Sequence, residues 1–246
     1  MLLLFAKGQR PDADRLAAAI EAAGRLTVTH RFAQSDHPDT AGSHSPVFTG
    51  FELLRDGMTY DLTGLAPGPS VAIPPIRHRF GFSGSSDDLE AAVLVPGPHL
   101  AAGAHSIPVV RTQAGIAASL AGLLPGLVAY GWKPARTLVG ADFFASSVSA
   151  WLEGGAFPSL GFTAFATDSQ GGMVSEGLSW FTGQELRFSN DIAKDRANAA
   201  RLGVRLVNQL VSQGRLTSQD HIIAPDGGRL ALEPTRDGKT IRVRRA

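Results

Sequence analysis

The sequence predicts an α+β fold: two β/α subdomains, mixed or antiparallel sheets with helices packed on one face, and a β-meander at the C-terminus. Three observations carry that expectation. Short apolar runs of strand length alternate with longer segments whose apolar residues recur every three or four positions. Asp56-Gly57, Pro225-Asp226-Gly227-Gly228 and Arg236-Asp237-Gly238-Lys239 are strong turn signals between such runs. With 246 residues, 43% of them hydrophobic and 18% charged, the chain can bury a sizeable core and is too apolar to be disordered throughout.

Taken in order, residues 2–6 form an apolar run long enough for one buried strand. Residues 12–23 read as a helix, with Pro11 at its entrance, Leu16, Ala19, Ile20 and Ala23 on one face, and Gly24 at its end. Residues 26–32 alternate like a half-buried strand, and 34–46 form a loop rich in Ser, Asp, His and Pro. Residues 47–54 and 58–62 flank Asp56-Gly57 as a hairpin. From 63 to 88 the chain is rich in Pro and Gly, with one short strand at 71–73, and it reads as a connector. A boundary near 83–88 then gives an N-terminal subdomain, 1–85, and a C-terminal domain, 86–246.

In the second half, 89–95 is an apolar run stopped by Pro96, 109–124 a helix, 127–132 a strand and 141–152 a helix. Residues 159–167 alternate as a strand, and 176–189 supply one or two more around Gly183. Residues 191–212 are the strongest helix, capped by Ser189 or Asn190 and followed by Gly214. Its apolar stripe is Ala193, Ala197, Ala200, Val204, Val207 and Val211, widened by Leu206 and Leu210. Strands at 220–224, 229–233 and 240–244 make the meander.

Several function classes drop out on composition and motif. Without cysteine there is no disulfide framework, thiolate metal site or Cys nucleophile. The formal charge of +1 removes the electrostatic argument for a dedicated nucleic-acid binder. No secretory signal opens the sequence, and the one candidate for a span, the uncharged 112–130, holds three glycines and Pro125, so no membrane span is expected and the cytoplasm is the default location. Phosphate-loop and dinucleotide fingerprints are absent, and 81–86 is glycine-rich without the lysine or helix that would cradle a phosphate. Ser179 stands in half of a Gly-x-Ser-x-Gly elbow, with Phe181 where the second glycine belongs. His37 and His44, near Asp36 and Asp39, are zinc-type ligands on a loop that does not fix their spacing, so they read as solvated. No cofactor is expected.

Charge is more informative by region. From Gly183 onward there are 12 Lys/Arg against 7 Asp/Glu, net +5, whereas the first 182 residues hold 11 against 15, net −4. Arg201 and Arg205 share a helical face with Lys194, and the tail ends Arg242-Val243-Arg244-Arg245. Such a surface suits an acidic protein partner; the plainer reading is a solvated helix beside a strand edge protected by charge. Nucleic acid would need aromatic platforms among these cations, and only Phe188 stands there. The densest stretch is 176–187, with Glu176, Trp180, Glu185 and Arg187 separated by Gly177 and Gly183, which let a backbone or ligand approach closely.

Gly177-Leu178, then Gly183-Gln184-Glu185-Leu186-Arg187 ahead of the helix at 191–212, with Asp237-Gly238-Lys239-Thr240-Ile241 near the end, resemble the DUF4261 family of bacterial proteins of undefined function. The resemblance covers roughly residues 90–245. Arg187 stands where the family pattern has a second acidic residue, which weakens an acid pair through Glu185. The resemblance implies an intracellular α+β protein and carries over no catalytic residue. Three functions therefore remain open: a non-catalytic protein-binding module of the adaptor or immunity type, a hydrolase-like enzyme using Asp168, Glu176 or Glu185 near Trp180, and a small-molecule sensor. The expected surface is Glu176, Trp180, Glu185, Arg187, Arg201 and Arg205.

Overall fold

A computed structural model describes residues 1–33, 47–224 and 226–246. His37, His44, Asp36 and Asp39 lie outside the described residues. The chain divides into two units, Met1–Lys133 with Leu138–Gly154, and Pro134–Thr137 with Gly155–Ala246.

The first unit is built on an eight-stranded sheet. Its strands are β1 (Leu2–Ala6), β2 (Thr27–Ala33), β3 (Phe48–Arg55), β4 (Met58–Thr63), β5 (His78–Phe80), β6 (Leu89–Pro96), β7 (Leu127–Trp132) and β8 (Thr137–Gly140), in the order β2-β3-β4-β6-β1-β7-β8-β5. Helices α1 (Ala13–Ala23), α2 (Ile107–Ala121) and α3 (Ala141–Leu152) pack against it. Asp12, expected as the first helical residue, instead caps α1 by accepting from the Arg15 amide, and Gly24 closes it in the left-handed conformation. Asp56 and Gly57 both take positive φ, as a two-residue hairpin requires. On the helix face, the Tyr60 and Tyr130 hydroxyls donate to the Val109 and Ala117 carbonyls at 2.8 and 2.7 Å.

The Pro/Gly-rich stretch is not a linker. Val71, Ile73, Ile76 and Phe82 pack over Leu2, Leu4, Ala91, Ala129 and Leu138, covering the sheet's second face. The strand that follows, β6, pairs with β1 on one side and β4 on the other. The 83–88 segment therefore lies inside the first unit, and the division falls beyond it. Residues 71–73 are extended without forming a named strand, while β5 and β8 were not expected.

The second unit is a mixed six-stranded sheet. Helix α4 (Ser159–Phe162), strands β9 (Ala164–Thr167) and β10 (Met173–Glu176), helix α5 (Ser179–Thr182), strand β11 (Glu185–Phe188), helices α6 (Asn190–Ala193) and α7 (Arg196–Gln213) and strands β12 (Asp220–Ile223), β13 (Arg229–Pro234) and β14 (Thr240–Arg245) follow in order. The sheet order is β12-β13-β14-β11-β10-β9, with β11 and β14 parallel and the other pairs antiparallel. The C-terminal meander is present as expected. The 159–167 segment is instead a helical turn followed by a strand. The long helix is interrupted: Asp195, extended at φ −94° and ψ 91°, caps α7 by accepting from the Asn198 amide. That restart rotates the buried stripe to Ala199, Leu202, Gly203, Leu206, Val207 and Leu210, leaving Ala197 exposed. Among the described residues no helix is long and apolar enough to cross a membrane.

Candidate functional site

The segment from β10 to β11 is built around one carboxylate. β10 ends at Gly177, which takes φ +95° where a Cβ would meet the Ala135 Cβ at 2.6 Å and the Phe162 carbonyl oxygen at 2.7 Å. The chain then makes the single turn of α5, closed by Gly183 at φ +73°. Into this bend reaches Glu185. Its Oε1 accepts from the Gly177 amide (2.9 Å), the Ser179 amide (3.0 Å) and the Ser179 hydroxyl (2.7 Å), and its Oε2 from the Ser175 hydroxyl (2.5 Å). Ser175 in turn accepts from the Leu186 amide at 2.8 Å. Next to it, the fully buried Gln184 donates to the Leu216 and Gly238 carbonyls and accepts from the Leu216 amide. The residues that looked most chemical in sequence thus fasten α5, the segment after α7 and the β13–β14 turn to the sheet.

The other expected residues are distributed by strand parity. Glu176 is paired with Arg136 at 2.8 Å. Trp180 sits on α5 with 38% of its surface exposed, while its neighbour Phe181 packs edge-on against Phe157 and Phe162. Along β11, Leu186 and Phe188 are buried, and Phe188 meets Phe165, whose ring lies against Gly203 of α7. Glu185 and Arg187 therefore point to the sheet face away from α7. Arg201 and Arg205 lie on the exposed side of α7, bonded to Asn198 and to the Ile223 carbonyl. The structure brings Glu185 and Arg187 onto one face and leaves the two helix arginines on the other.

That open face carries a row of arginines. Arg187 of β11 is in register with Arg242 of β14, which is in register with Glu233 of β13, and Arg244 stands two residues along the same face. Asp168, in the turn between β9 and β10, accepts from the Gln170 and Gly172 amides at 2.8 Å each and from Arg187 Nε at 3.0 Å. Arg187 Nη2 reaches both Asp168 Oδ2 and the Gln170 side-chain oxygen, at 2.9 Å each. Arg244 grips Glu233 through Nε and Nη2. Partial burial would raise the Asp168 carboxyl, but those amides and Arg187 outweigh it and hold it below the ordinary value. The hydrogen bonds from Arg244, aided by the fields of Arg244 and Arg242, hold Glu233 low as well. Arg242 is exposed, and among the described residues its guanidinium makes no hydrogen bond or ion pair closer than 4 Å. Arg187, Arg242, Arg244, Asp168, Gln170 and Asn190 line a cleft of about 490 Å³ where the parallel strands end.

Sequence reasoning reached Arg187 and noticed the Arg-Val-Arg-Arg tail, but it assigned that tail to a strand edge. β14 is an interior strand, so edge protection does not account for Arg242 and Arg244. Asp168 is a sequence candidate only as an enzyme carboxylate near Trp180, and Gln170 is not one at all; the fold brings both to Arg187 instead. Among the described residues no group of three or more His, Asp or Glu is arranged to hold a metal ion. Ser179 spends its hydroxyl proton on Glu185. Phe188, the one aromatic among the C-terminal cations, is buried beneath the face. Comparison of the chain with protein-family models, curated proteins and solved structures gives no match, so the DUF4261 resemblance rests on the sequence motifs alone.

Proposed function

We propose that this chain is a non-catalytic, cytoplasmic protein-binding module of the adaptor or immunity type, and that its partner docks on the open face of the C-terminal sheet. The observation that carries the reading is the contrast between two sets of charges on that unit. The carboxylates around Trp180 are committed: Glu185 to four donors and Glu176 to Arg136. An acid–base pair needs a carboxyl group free to exchange a proton with substrate. The arginines of the open face hold exposed N–H donors instead, which is what a binding surface needs.

Site-specific photo-crosslinking tests this. Ile223 of β12 is 57% exposed and shares the open face, being paired with Arg229 next to the Arg244 row. A photo-reactive residue at Ile223 is expected to yield a discrete protein adduct in cells that Arg242→Glu abolishes, with Ala197 on the exposed side of α7 as a silent control position. An adduct at Ala197 and none at Ile223, or one at Ile223 indifferent to Arg242→Glu, overturns the assignment.

A further inference from the structure

Resting on the protein-binding reading above, we infer that the cleft at Arg187, Arg242 and Arg244 takes the side-chain carboxylate of an aspartate- or glutamate-rich segment, seated on Arg242. Arg187 uses Nε and Nη2 on Asp168 and Gln170, and Arg244 uses Nε and Nη2 on Glu233, so each keeps the Nη1 end free. Arg242, between them, keeps all of its guanidinium N–H groups free among the described residues. A guanidinium offers two parallel donors in a rigid fork that matches the two oxygens of a carboxylate. The flanking arginines are held in place before any ligand arrives, so little side-chain entropy is lost on binding.

The charge balance selects the kind of anion. Three guanidiniums and the Asp168 carboxylate line the cleft, and a second carboxylate, Glu233, stands beside it, opposite Arg242 and gripped by Arg244, which leaves one positive charge over the group. One carboxylate neutralises it. A phosphoryl dianion would over-compensate it and be repelled by Asp168 in the lining and by Glu233 beside it. Nucleic acid brings a phosphate at every step and asks for exposed aromatic platforms, and Phe188 lies beneath the face. A cleft of about 490 Å³ is large enough for an acidic side chain with adjoining backbone.

Fluorescence anisotropy tests the assignment with a labelled peptide of alternating glutamate and serine. The controls are the same peptide with glutamine, or with phosphoserine, at every glutamate. The glutamate peptide is expected to bind, the glutamine peptide not, and added salt to weaken binding. Arg242→Ala should weaken it about tenfold, with Arg242→Lys restoring only part because a point charge lacks the fork. Arg201→Ala, on the α7 side, should leave affinity unchanged. Equal binding of the glutamine peptide, indifference to Arg242→Ala, or phosphoserine binding about tenfold or more above glutamate overturns the carboxylate assignment. The Ile223 adduct separates the two readings: if it persists, only the carboxylate is wrong, and if it is missing too, both fall. Arg242 is exposed with no hydrogen bond to lose, so a melting temperature that does not fall certifies the variants.

Discussion

Replacing Glu185 tests whether the carboxylate belongs to the fold or to a binding surface. In Glu185→Ala four donors lose their acceptor, but not at equal cost. The Ser179 amide and hydroxyl are exposed, and water replaces the carboxylate there for little. The Gly177 amide and the Ser175 hydroxyl are buried, and each unsatisfied buried donor costs about 1–3 kcal/mol. The expected loss is therefore about 2–6 kcal/mol, a large part of the ~5–15 kcal/mol that a domain typically has. Glu185→Gln keeps an oxygen for the three donors at Oε1 and loses the charge assistance. Its amide meets Ser175, which then accepts from both the new amide and Leu186 while its own proton goes unpaired. About 1–2 kcal/mol is expected. Urea titration followed by tryptophan fluorescence reads both, with Trp180 on the affected turn. A Glu185→Ala loss under about 1 kcal/mol, together with weaker crosslinking at Ile223, would refute the reasoning and return Glu185 to the binding surface.

Two further outcomes follow from the same geometry. Gly177→Ala combines positive φ with two contacts far inside van der Waals distance, one of them to a backbone oxygen, and should destabilise by about 2–4 kcal/mol; a melting temperature within a degree or two of wild type would contradict it. Both tyrosines of the chain are buried with their hydroxyls donated to carbonyls, and burial pushes Tyr60 up to about 12 and Tyr130 further in the same direction. Folding therefore favours the neutral phenols. Their contribution is complete below the unfolded value of about 10 and is lost as pH rises through the folded values, so phenolate absorbance should appear together with loss of the circular-dichroism signal. Phenolate formed in a chain that keeps its native signal would show the rings to be accessible.

Local signals made much of this fold legible, and the misses have local causes. Asp56-Gly57 and the turns of the meander fix φ by residue type, so their hairpins could be read directly. β8 could not, because Thr137–Gly140 is buried on both faces and shows no alternation. The 191–212 helix was read as one piece because the apolar spacing runs through the Asp195 cap, and the phase error that followed misplaced Ala197 and Leu202. In the candidate site, Glu185 and Arg187 were found by sequence, but not their roles. Those depend on Gly177 bending amides toward one residue and on the β9–β10 turn delivering Asp168 to the other.

Arg187 and Arg242 are directly opposite on adjacent strands, an arrangement that costs sheet stability when the charges are alike. Two ordinary explanations fail here. The strands are interior, so the charges do not guard an edge against aggregation. Nor do Asp168 and Glu233 cancel the charge: two carboxylates face three guanidiniums, and Glu233, although opposite Arg242, is gripped by Arg244. A threonine or valine at position 242 would suit the strand better and relieve the repulsion. That gives the inference a stability counterpart: Arg242→Thr should raise the melting temperature slightly while removing acidic-peptide binding. A fall in stability would mean that Arg242 supports the sheet through Glu233, and the case for a bound carboxylate would lose its physical basis.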